Sequence, residues 1–272
     1  MSLPQPPVAG VIGWPIAHSK SPLIHRFWLG KLGIDGDYSR FPVAPEHVDA
    51  FVRALPATGL RGVNVTVPHK LAVMAALDAL SDGAAAVGAV NTIVVGENGR
   101  LTGHNSDVVG ITGPAGAAIA GRPMLLIGSG GAARAAMAAA RAAGASALWI
   151  MARNADAAGA LLARSGLPGG VLEMGDRPPE DIGLVFNATS LGMSGQPPLH
   201  LDLGPLPGTA VVFDAVYAPL ETGLLAAARA RGLATIDGLA MLIGQAAEAF
   251  RLFYGADAPR EHDSELRRLL IR

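Results

Sequence analysis

The chain has 272 residues, half of them hydrophobic, and a formal net charge of -1 at pH 7. Its length exceeds the roughly 100 to 150 residues of one ordinary domain, so we expect two compact units that share a cleft. The balanced charge argues against a nucleic-acid surface and leaves a small molecule as the expected partner. Because the chain contains no cysteine, disulfides, thiolate zinc sites and a cysteine nucleophile are excluded.

The sequence also bears on location and assembly. The N-terminal residues lack the basic start and apolar run of a secretory signal, and no stretch reaches the roughly 20 uninterrupted apolar residues of a membrane span. We therefore expect a soluble cytoplasmic protein without a metal site. The Ala-rich helices carry no marked apolar patch, so both a monomer and a homodimer stay open.

In the first half, short β-type runs alternate with helical stretches, which is typical of a sheet covered by helices. The predicted elements are strands at 8–12, 38–43 and 62–67 and helices at 21–32, 45–55 and 70–80. A hairpin follows, with strands at 89–95 and 101–103 joined by a turn at 97–99. We expect this hairpin to end the first domain.

After Asp107 the pattern starts again. A strand at 123–127, a glycine-rich turn, a helix to Arg141 and a strand at 147–151 form one βαβ unit. Further strands are predicted at 184–187, 210–213 and 234–236, helices at 239–254 and 264–271, and a surface loop at 167–179. The fold class is therefore α/β, with a Rossmann-type doubly wound sheet in the second domain.

The glycine-rich turn after the strand at 123–127 has the composition of a phosphate-binding loop. It contains Gly128, Ser129, Gly130, Gly131 and Ala132. Its glycines permit a tight bend and let backbone amides approach a pyrophosphate, and the following helix adds partial positive charge at its N-terminus. A glycine-rich corner can also be purely structural, but the place between a strand and a helix favours a bound dinucleotide.

The end of the next strand indicates which dinucleotide. It carries Ala152, Arg153 and Asn154. An NAD site usually places a carboxylate here, on the ribose 2′-hydroxyl, and this segment has none. The planar guanidinium of Arg153 can instead hold a 2′-phosphate, with Asn154 hydrogen bonding beside it. The segment favours NADP, and the alternative is a solvated surface arginine.

Polar residues follow the strands of the first half, where simple packing does not require them. Ser19 and Ser21 can present hydroxyls to a polyhydroxylated ligand, although Ser21 can equally cap a helix that begins at Pro22. Thr66 lies at the carboxyl end of the third strand, where ligands collect in open parallel sheets, and Asn91 supplies an amide. We expect a substrate site near these residues.

Lys70 and Asp107 are the candidate acid/base pair. Reduction of a carbonyl by a hydride needs a proton donor near the developing alkoxide, and the reverse reaction needs the same group as base. Either partner can move the proton, and an ordinary ion pair is the structural alternative.

Taken in order, these segments resemble shikimate dehydrogenases from one end of the chain to the other. The motifs that carry the resemblance are residues 11–13, 18–22, 64–70, 88–92, 105–107, 128–133, 187–193, 214–222 and 237–245. The chain departs from the family pattern at four positions. Family members often have asparagine in place of Arg26 and Ala218, and threonine in place of Ser106 and Asn154.

The resemblance implies a role for each matching residue. The lysine and aspartate that match Lys70 and Asp107 are the catalytic pair of the family. The positions that hold the hydroxyls and carboxylate of shikimate match Ser19, Ser21, Thr66, Asn91 and Gln245, with Tyr217 nearby. The implied NADP contacts are the turn 128–132, Ala152, Arg153, Asn154, Asp82, Thr189, Ala215, Val216, Gly238 and Met241.

The resemblance also implies a domain organisation and an activity. It predicts a substrate-binding domain at 1–107, an NADP-binding domain at 108–237, and C-terminal helices at 238–272 that return to the first domain. The leading hypothesis is reversible, NADPH-dependent reduction of 3-dehydroshikimate to shikimate. The alternatives are a quinate or quinate/shikimate dehydrogenase that uses NAD, which Arg153 opposes, and a non-catalytic NADP-sensing regulator.

Overall fold

The structure is a computed structural model and describes residues 5–271. The chain forms two compact units. Unit 1 contains the chain up to Ser106 and the segment from Gln245 onward, and unit 2 contains the chain from Asp107 to Gly244. The functional division at residues 107 and 238 stays a prediction. Within residues 5–271, no helix is both long enough and apolar enough to span a membrane.

Unit 1 is built on a mixed six-stranded sheet. Its strands are β1 (Val8–Gly13), β2 (Asp37–Pro42), β3 (Gly62–Val65), β4 (Ala79–Leu80), β5 (Thr92–Val95) and β6 (Leu101–His104). Their order is β2-β1-β3-β5-β6-β4. β1 pairs in parallel with β2 and β3, and β5 pairs antiparallel with β3 and β6. The predicted hairpin is confirmed as β5 and β6.

Within residues 5–271, four helices and four short 3₁₀ segments belong wholly to unit 1. The helices are α1 (Ser21–Leu32), α2 (Val48–Ala54), α3 (Asp82–Val87) and α9 (Asp263–Ile271). The 3₁₀ segments are Pro45–His47, Leu55–Ala57, Ala72–Ala76 and Arg260–His262. The predicted helix at 45–55 is therefore an α-helix only in its middle.

Unit 2 is built on a fully parallel sheet. Its strands are β7 (Pro123–Ile127), β8 (Ala147–Met151), β9 (Gly169–Leu172), β10 (Leu184–Asn187), β11 (Val211–Asp214) and β12 (Ala234–Ile236). Their order is β12-β11-β10-β7-β8-β9, and all neighbours run parallel. This order is that of a doubly wound Rossmann sheet, which confirms the predicted fold class.

Helix α4 (Asp107–Ile119) precedes the first strand of unit 2. The helices that connect strands of this sheet are α5 (Gly131–Ala142), α6 (Ala155–Ser165) and α7 (Gly223–Ala230). A further helix, α8 (Gly238–Tyr254), begins in unit 2 and continues beyond Gln245 into unit 1. Helices α3, α6 and α7 carry no sequence prediction, and in α4 only the Ala-rich residues 115–120 have helical composition. In α4 the reason is local, because Pro114 and several glycines interrupt its sequence.

The predicted helix at 70–80 is wrong. Its first residues form turns, Ala72–Ala76 is a 3₁₀ segment, and Leu77 is extended. The cause is pairing with the hairpin. Asp78 N donates to Leu101 O over 3.0 Å, and Asp78 Oδ2 accepts from Leu101 N over 2.7 Å. These bonds draw β4 into the sheet beside β6, and tertiary pairing overrides the local helix preference.

The loop predicted at 167–179 is wrong in its first part. Strand β9 begins at Gly169 and pairs in parallel with β8. Gly169 has a φ of +144°, and a Cβ at this position would collide with the carbonyl group of Leu148. A backbone approach this close requires glycine. The glycines that suggested a loop therefore serve a closely paired edge strand.

A buried group of rings, called the aromatic cluster below, lies in unit 1. Its members are His25, Trp28, Tyr38, Phe250, Phe253 and Tyr254. His25 stacks on Tyr38 with centroids 4.0 Å apart and an interplanar angle of 12°. Among the described residues, neither ring nitrogen of His25 has a hydrogen-bond partner, and burial lowers the pKa of His25 to about 3. His25 is therefore a neutral core residue at pH 7.

Candidate functional site

The carboxyl edge of the unit 2 sheet brings several predicted residues into line. In the strand register, Ile127 pairs with both Met151 and Asn187, and Asn187 pairs with Asp214. The residues that follow these four strand ends therefore lie side by side along one edge. Ligands of doubly wound sheets bind at this edge, where the strand order reverses.

A pocket of about 650 Å³ opens at this edge, within unit 2. Its lining includes seven of the predicted cofactor residues: Gly128, Ser129, Gly130, Ala152, Arg153, Asn154 and Thr189. Met174, Ala188, Ser190, Leu191, Gln196 and Pro197 complete the lining. The sequence gives no signal for Met174, Gln196 and Pro197, because they lie in irregular segments whose path depends on the tertiary fold.

The glycines of the turn have different reasons for being glycine. Gly128 has a φ of +108°, and a Cβ there would lie 2.9 Å from Thr189 Cγ2, so the protein itself requires glycine. At Gly130 and Gly131 a Cβ would meet no protein atom within 4 Å. The space beside these two residues fits the close approach of a pyrophosphate to the backbone.

Helix α5 begins directly after the turn and completes an anion site. Its N-cap residue is Gly130, which has no side chain to accept hydrogen bonds from the first turn. The backbone N–H groups of that turn therefore suit an external acceptor, and the helix dipole favours negative charge there. The residues present fit the diphosphate of a dinucleotide.

Arg153 and Asn154 follow β8 at the same pocket. Arg153 is exposed, and none of the described residues in the lining carries a carboxylate. Asn154 has a structural task, because its Oδ1 accepts from Ala157 N over 2.9 Å and caps α6. Asn154 Nδ2, which can only donate, is the part of this side chain suited to a phosphate oxygen.

Buried polar residues fix the strand ends next to the pocket. Asn187 Nδ2 donates to Asp214 Oδ1 over 2.9 Å, while Asn187 Oδ1 accepts from Thr189 N and Thr189 Oγ1 over 3.0 and 2.7 Å. Burial raises the pKa of Asp214, and hydrogen bonds from Thr222, Val216 and Asn187 lower it. This network sets the position of Thr189 in the lining.

The other residues expected at the cofactor are not part of this lining: Gly131, Ala132, Ala215, Val216, Gly238, Met241 and Asp82. Gly238 begins α8 against the end of β11, where a Cβ would lie 2.6 Å from the backbone of Val216. Asp82 is exposed in the first turn of α3, in unit 1, where Ser81 caps the helix. The cofactor roles of these residues stay predictions.

The structure brings Ser19 and Ser21 together in unit 1. Ser19 Oγ lies 3.3 Å from Ser21 Oγ and accepts a hydrogen bond from Ser21 N at 3.3 Å. The idea that Ser21 caps a helix is wrong, because α1 already includes Ser21 and its N-cap residue is Lys20. Ser21 is buried, so its hydroxyl serves a purpose other than capping.

Asn91 and Gln245 are joined through Ser106. Asn91 Nδ2 donates to Ser106 Oγ over 3.1 Å, and Ser106 Oγ donates to Gln245 Oε1 over 3.4 Å. The helix α8 thus brings Gln245 to residues that precede it by more than 130 positions. Sequence reasoning from the residues alone attached no role to Ser106.

Four further predicted residues have clear positions. Thr66 and Lys70 are half-buried after β3, where Thr66 N donates to Ile12 O over 3.0 Å and Lys70 O accepts from Val90 N over 2.9 Å. Asp107 is buried and begins α4. Tyr217 is half-buried after β11, and burial raises its pKa. The chemical roles of these side chains stay predictions.

Comparison with known proteins places the chain in a family. The model described as shikimate dehydrogenase substrate binding domain matches residues 11–93, and that of the shikimate 5′-dehydrogenase C-terminal domain matches residues 238–263. The shikimate dehydrogenase (NADP(+)) of Sphingopyxis alaskensis is 51% identical over 269 residues, which cover 97% of both chains.

Two solved structures are similar over nearly the whole chain. Ligand-free 5-ketofructose reductase of a Gluconobacter strain has a TM-score of 0.91 and 27% identity, and the match covers 98% of this chain and 99% of that one. Shikimate 5-dehydrogenase of Thermus thermophilus, in complex with NADP(H) and shikimate, has a TM-score of 0.84 and 36% identity, covering 97% and 99%. With half of its residues identical to those of a shikimate dehydrogenase over almost its full length, the chain belongs to the shikimate dehydrogenase family.

Proposed function

We propose that the chain catalyses the reversible, NADP-dependent reduction of 3-dehydroshikimate to shikimate, a step of aromatic amino-acid synthesis. The observation that supports the proposal most strongly is the set of site residues that this chain, a member of the family, contains. Unit 1 has hydrogen-bonded polar groups at Ser19, Ser21, Asn91 and Gln245, and unit 2 has a pocket lined by Arg153.

The choice of NADP rests on the pocket. The strand end that carries a carboxylate in NAD sites carries Arg153 here, beside the glycine turn and the start of α5. A guanidinium can form two parallel hydrogen bonds to a phosphate group, and an unphosphorylated ribose offers no such partner. The name of the Sphingopyxis relative, an NADP(+) enzyme, supports the same choice.

The chemistry divides between cofactor and protein. When bound, NADP supplies hydride acceptance or donation at its nicotinamide ring. Oxidation of shikimate also releases the hydroxyl proton, and in the proposed reaction the pair Lys70 and Asp107 takes up that proton. In the reducing direction the pair returns it to the developing alkoxide. The polar groups of unit 1 hold the substrate hydroxyls and carboxylate in place, which fixes the reacting carbon.

The deciding experiment is a steady-state comparison on the purified full chain. Shikimate and quinate are each oxidised with NADP and with NAD, and 5-ketofructose is offered as a competing ketone with NADPH. We expect the highest kcat/KM for shikimate with NADP. Faster turnover of quinate with NAD, or reduction of 5-ketofructose in preference to 3-dehydroshikimate, would overturn the proposal.

Two variants separate catalysis from binding. Lys70→Ala and Asp107→Asn remove one partner of the proton-transfer pair each, and general acid–base catalysis contributes about 10² to 10⁴-fold. We expect kcat to fall by about that factor in both variants, while the Kd for NADPH, measured by fluorescence titration, stays unchanged. A chain that binds NADPH and never oxidises shikimate would instead act as an NADP-sensing regulator.

Location is part of the proposal. A chain of 272 residues without cysteine needs no oxidising compartment for its stability, and we place the reaction in the cytoplasm. Expression of the chain with a fluorescent tag in its host, followed by fractionation, tests this placement. Recovery in a periplasmic or membrane fraction would contradict it.

A further inference from the structure

We infer that Tyr38, a buried core residue, is a positioning residue that sets which amide and hydroxyl groups face the substrate. This inference rests on the proposed function. It starts from one continuous chain of side-chain hydrogen bonds, called the buried relay below. The relay contains Tyr38, Asn64, Thr92, Asn91, Ser106 and Gln245.

Two backbone groups fix the orientation of the amides in the relay. Asn64 Nδ2 donates to the carbonyl oxygen of Asn91 over 3.2 Å, so this end of the Asn64 amide must be the nitrogen. The backbone N–H of Ser106 donates to Asn91 Oδ1 over 2.8 Å, so this end of the Asn91 amide must be the oxygen. Neither side chain can flip without losing its backbone partner.

With these amides fixed, the hydroxyls of Tyr38 and Thr92 each have one direction in which to donate. Tyr38 must donate to Asn64 Oδ1, at 2.7 Å. Thr92 Oγ1 accepts from Asn64 Nδ2 at 2.9 Å and donates to Asn91 Oδ1 at 2.9 Å. Thr92 is fully buried, so no solvent competes for this hydroxyl. The hydrogen bonds of the relay therefore run in one sense from Tyr38 to Asn91.

The far end of the relay reaches Gln245. Asn91 Oδ1 accepts from Ser106 N and Thr92 Oγ1, at 2.8 and 2.9 Å. Ser106 Oγ accepts from Asn91 Nδ2 over 3.1 Å and lies 3.3 Å from Asn91 Oδ1 and 3.4 Å from Gln245 Oε1. Ser106 therefore holds the Gln245 side chain next to the Asn91 amide.

The near end of the relay lies beside the serine pair. Burial raises the pKa of Tyr38 well above its usual value, and a hydrogen bond from Ser21 lowers it. Tyr38 donates to Asn64 Oδ1 over 2.7 Å and forms the near end of the relay, beside Ser21. It has no exposed surface and cannot touch a substrate itself. Buried, fully satisfied networks of this kind hold a single arrangement.

The aromatic cluster offers a matched control for Tyr38. The hydroxyl of Tyr254 belongs to the same cluster and donates to the backbone oxygen of Asp37 over 2.9 Å, outside the relay. Tyr38→Phe and Tyr254→Phe each remove one phenolic hydroxyl and keep the ring. A role in packing alone predicts the same result for both variants.

The test compares the two variants in kinetics and in direct binding. We expect Tyr38→Phe to raise KM and the calorimetric Kd for shikimate about tenfold, with KM for NADP unchanged. The buried Asn64 oxygen loses its donor in this variant, and the Asn64 amide shifts away from Thr92 and Asn91 to find another one. Tyr254→Phe is expected to leave all three constants within about twofold of wild type. Equal effects of the two variants on shikimate binding would overturn the inference.

A second pair of variants tests the far end, in case Tyr38→Phe fails to fold. Ser106→Ala breaks the link between Asn91 and Gln245, and Ser106→Thr keeps the hydroxyl. We expect the alanine variant to weaken shikimate binding about tenfold and the threonine variant to restore it. If both variants bind shikimate as wild type does, the relay does not position the site.

Failure of the inference and failure of the proposed function give different results. A wild-type chain that neither binds nor oxidises shikimate overturns the proposed function, and the inference with it. A wild-type chain that does both, with Tyr38→Phe indistinguishable from Tyr254→Phe, overturns the inference alone.

Discussion

His25 makes the stability of unit 1 depend on pH in a direction that can be worked out. Its ring is fully buried in the aromatic cluster, and burial lowers its pKa from 6.5 to about 3. Between these values the unfolded chain binds a proton at His25 that the folded chain does not. The stabilising contribution of neutral His25 to the free energy of unfolding is therefore fully present above pH 6.5, and it decreases as the pH falls.

The size of the stability loss follows from how far the pH falls below 6.5, the pKa of His25 in the unfolded chain. Each pH unit below the unfolded pKa removes about 1.4 kcal/mol, so a change from about pH 7 to about pH 5 costs about 2 kcal/mol. His25→Phe keeps an aromatic ring against Tyr38 and removes the titrating group. We expect the variant to lose about 2 kcal/mol less than wild type over the same pH change.

The assay is urea unfolding at the two pH values, followed by tryptophan fluorescence in a Trp149→Phe background. Trp149 lies in unit 2, and Trp28 lies in the aromatic cluster, so this background removes the unit 2 signal. Phe253→Leu is the control, because it disturbs packing in the same cluster without titrating. It should lower stability equally at both pH values.

One result would refute the reasoning. If His25→Phe loses as much stability between the two pH values as wild type does, protonation of His25 does not oppose folding. The charged ring of His25 would then be stabilised by polar groups that move next to it when it is protonated.

Three further predictions concern the cofactor pocket and the sheet of unit 2. Arg153→Gln should raise KM for NADP about 10- to 100-fold in steady-state kinetics, because hydrogen bonds to charged groups contribute about 1.5 to 3 kcal/mol, and should leave KM for NAD within about twofold. Gly130→Ala should leave the Tm nearly unchanged but weaken NADPH binding at least about tenfold in a fluorescence titration, because its Cβ meets no protein atom within 4 Å and points into space suited to the diphosphate. Gly169→Ala should cost on the order of 3 kcal/mol or more in urea unfolding, because its Cβ would collide with the Leu148 carbonyl.

Each of these has a contrary outcome. Equal rises of KM for NADP and NAD would show that Arg153 does not select the 2′-phosphate. If Gly130→Ala binds NADPH as tightly as wild type does, the diphosphate does not bind at this turn. Gly144 is the control for Gly169, because its φ is also positive, at +74°, and a Cβ there meets nothing within 4 Å. A similar loss in Gly144→Ala would mean that φ, and not the collision, sets the cost.

All strands of unit 2 except β9 were predictable, because their signal is local. The segments at 123–127 and 147–151 are apolar runs bounded by glycine, proline or polar residues, and they coincide with β7 and β8. The glycine turn was predictable for the same reason, since it sits where a strand meets a helix. Arg153 was predictable from its place two residues after the end of β8.

The errors have a different physical origin. At 70–80 the conformation is set by pairing with strand β6, which lies about 25 residues later in the chain. At 169–172 glycine is required by the close approach of the Leu148 carbonyl in the neighbouring strand. In the sequence, Tyr38 and Thr92 look like ordinary strand residues. The residues next to them in the chain do not indicate that their hydroxyls take part in the relay. Such roles exist only after folding has brought distant polar groups together.

The order of the two units along the chain has a consequence for synthesis on the ribosome. Unit 2 is continuous, so its sheet can close as soon as residue 244 has emerged. Unit 1 is interrupted, and its first hundred or so residues must wait. Phe253, whose ring lies beside Gly62, and Tyr254, whose hydroxyl donates to Asp37 O, both follow unit 2 in the chain. Residues 1–106 therefore lack these partners until unit 2 has been synthesised, and during that time their incomplete core is exposed.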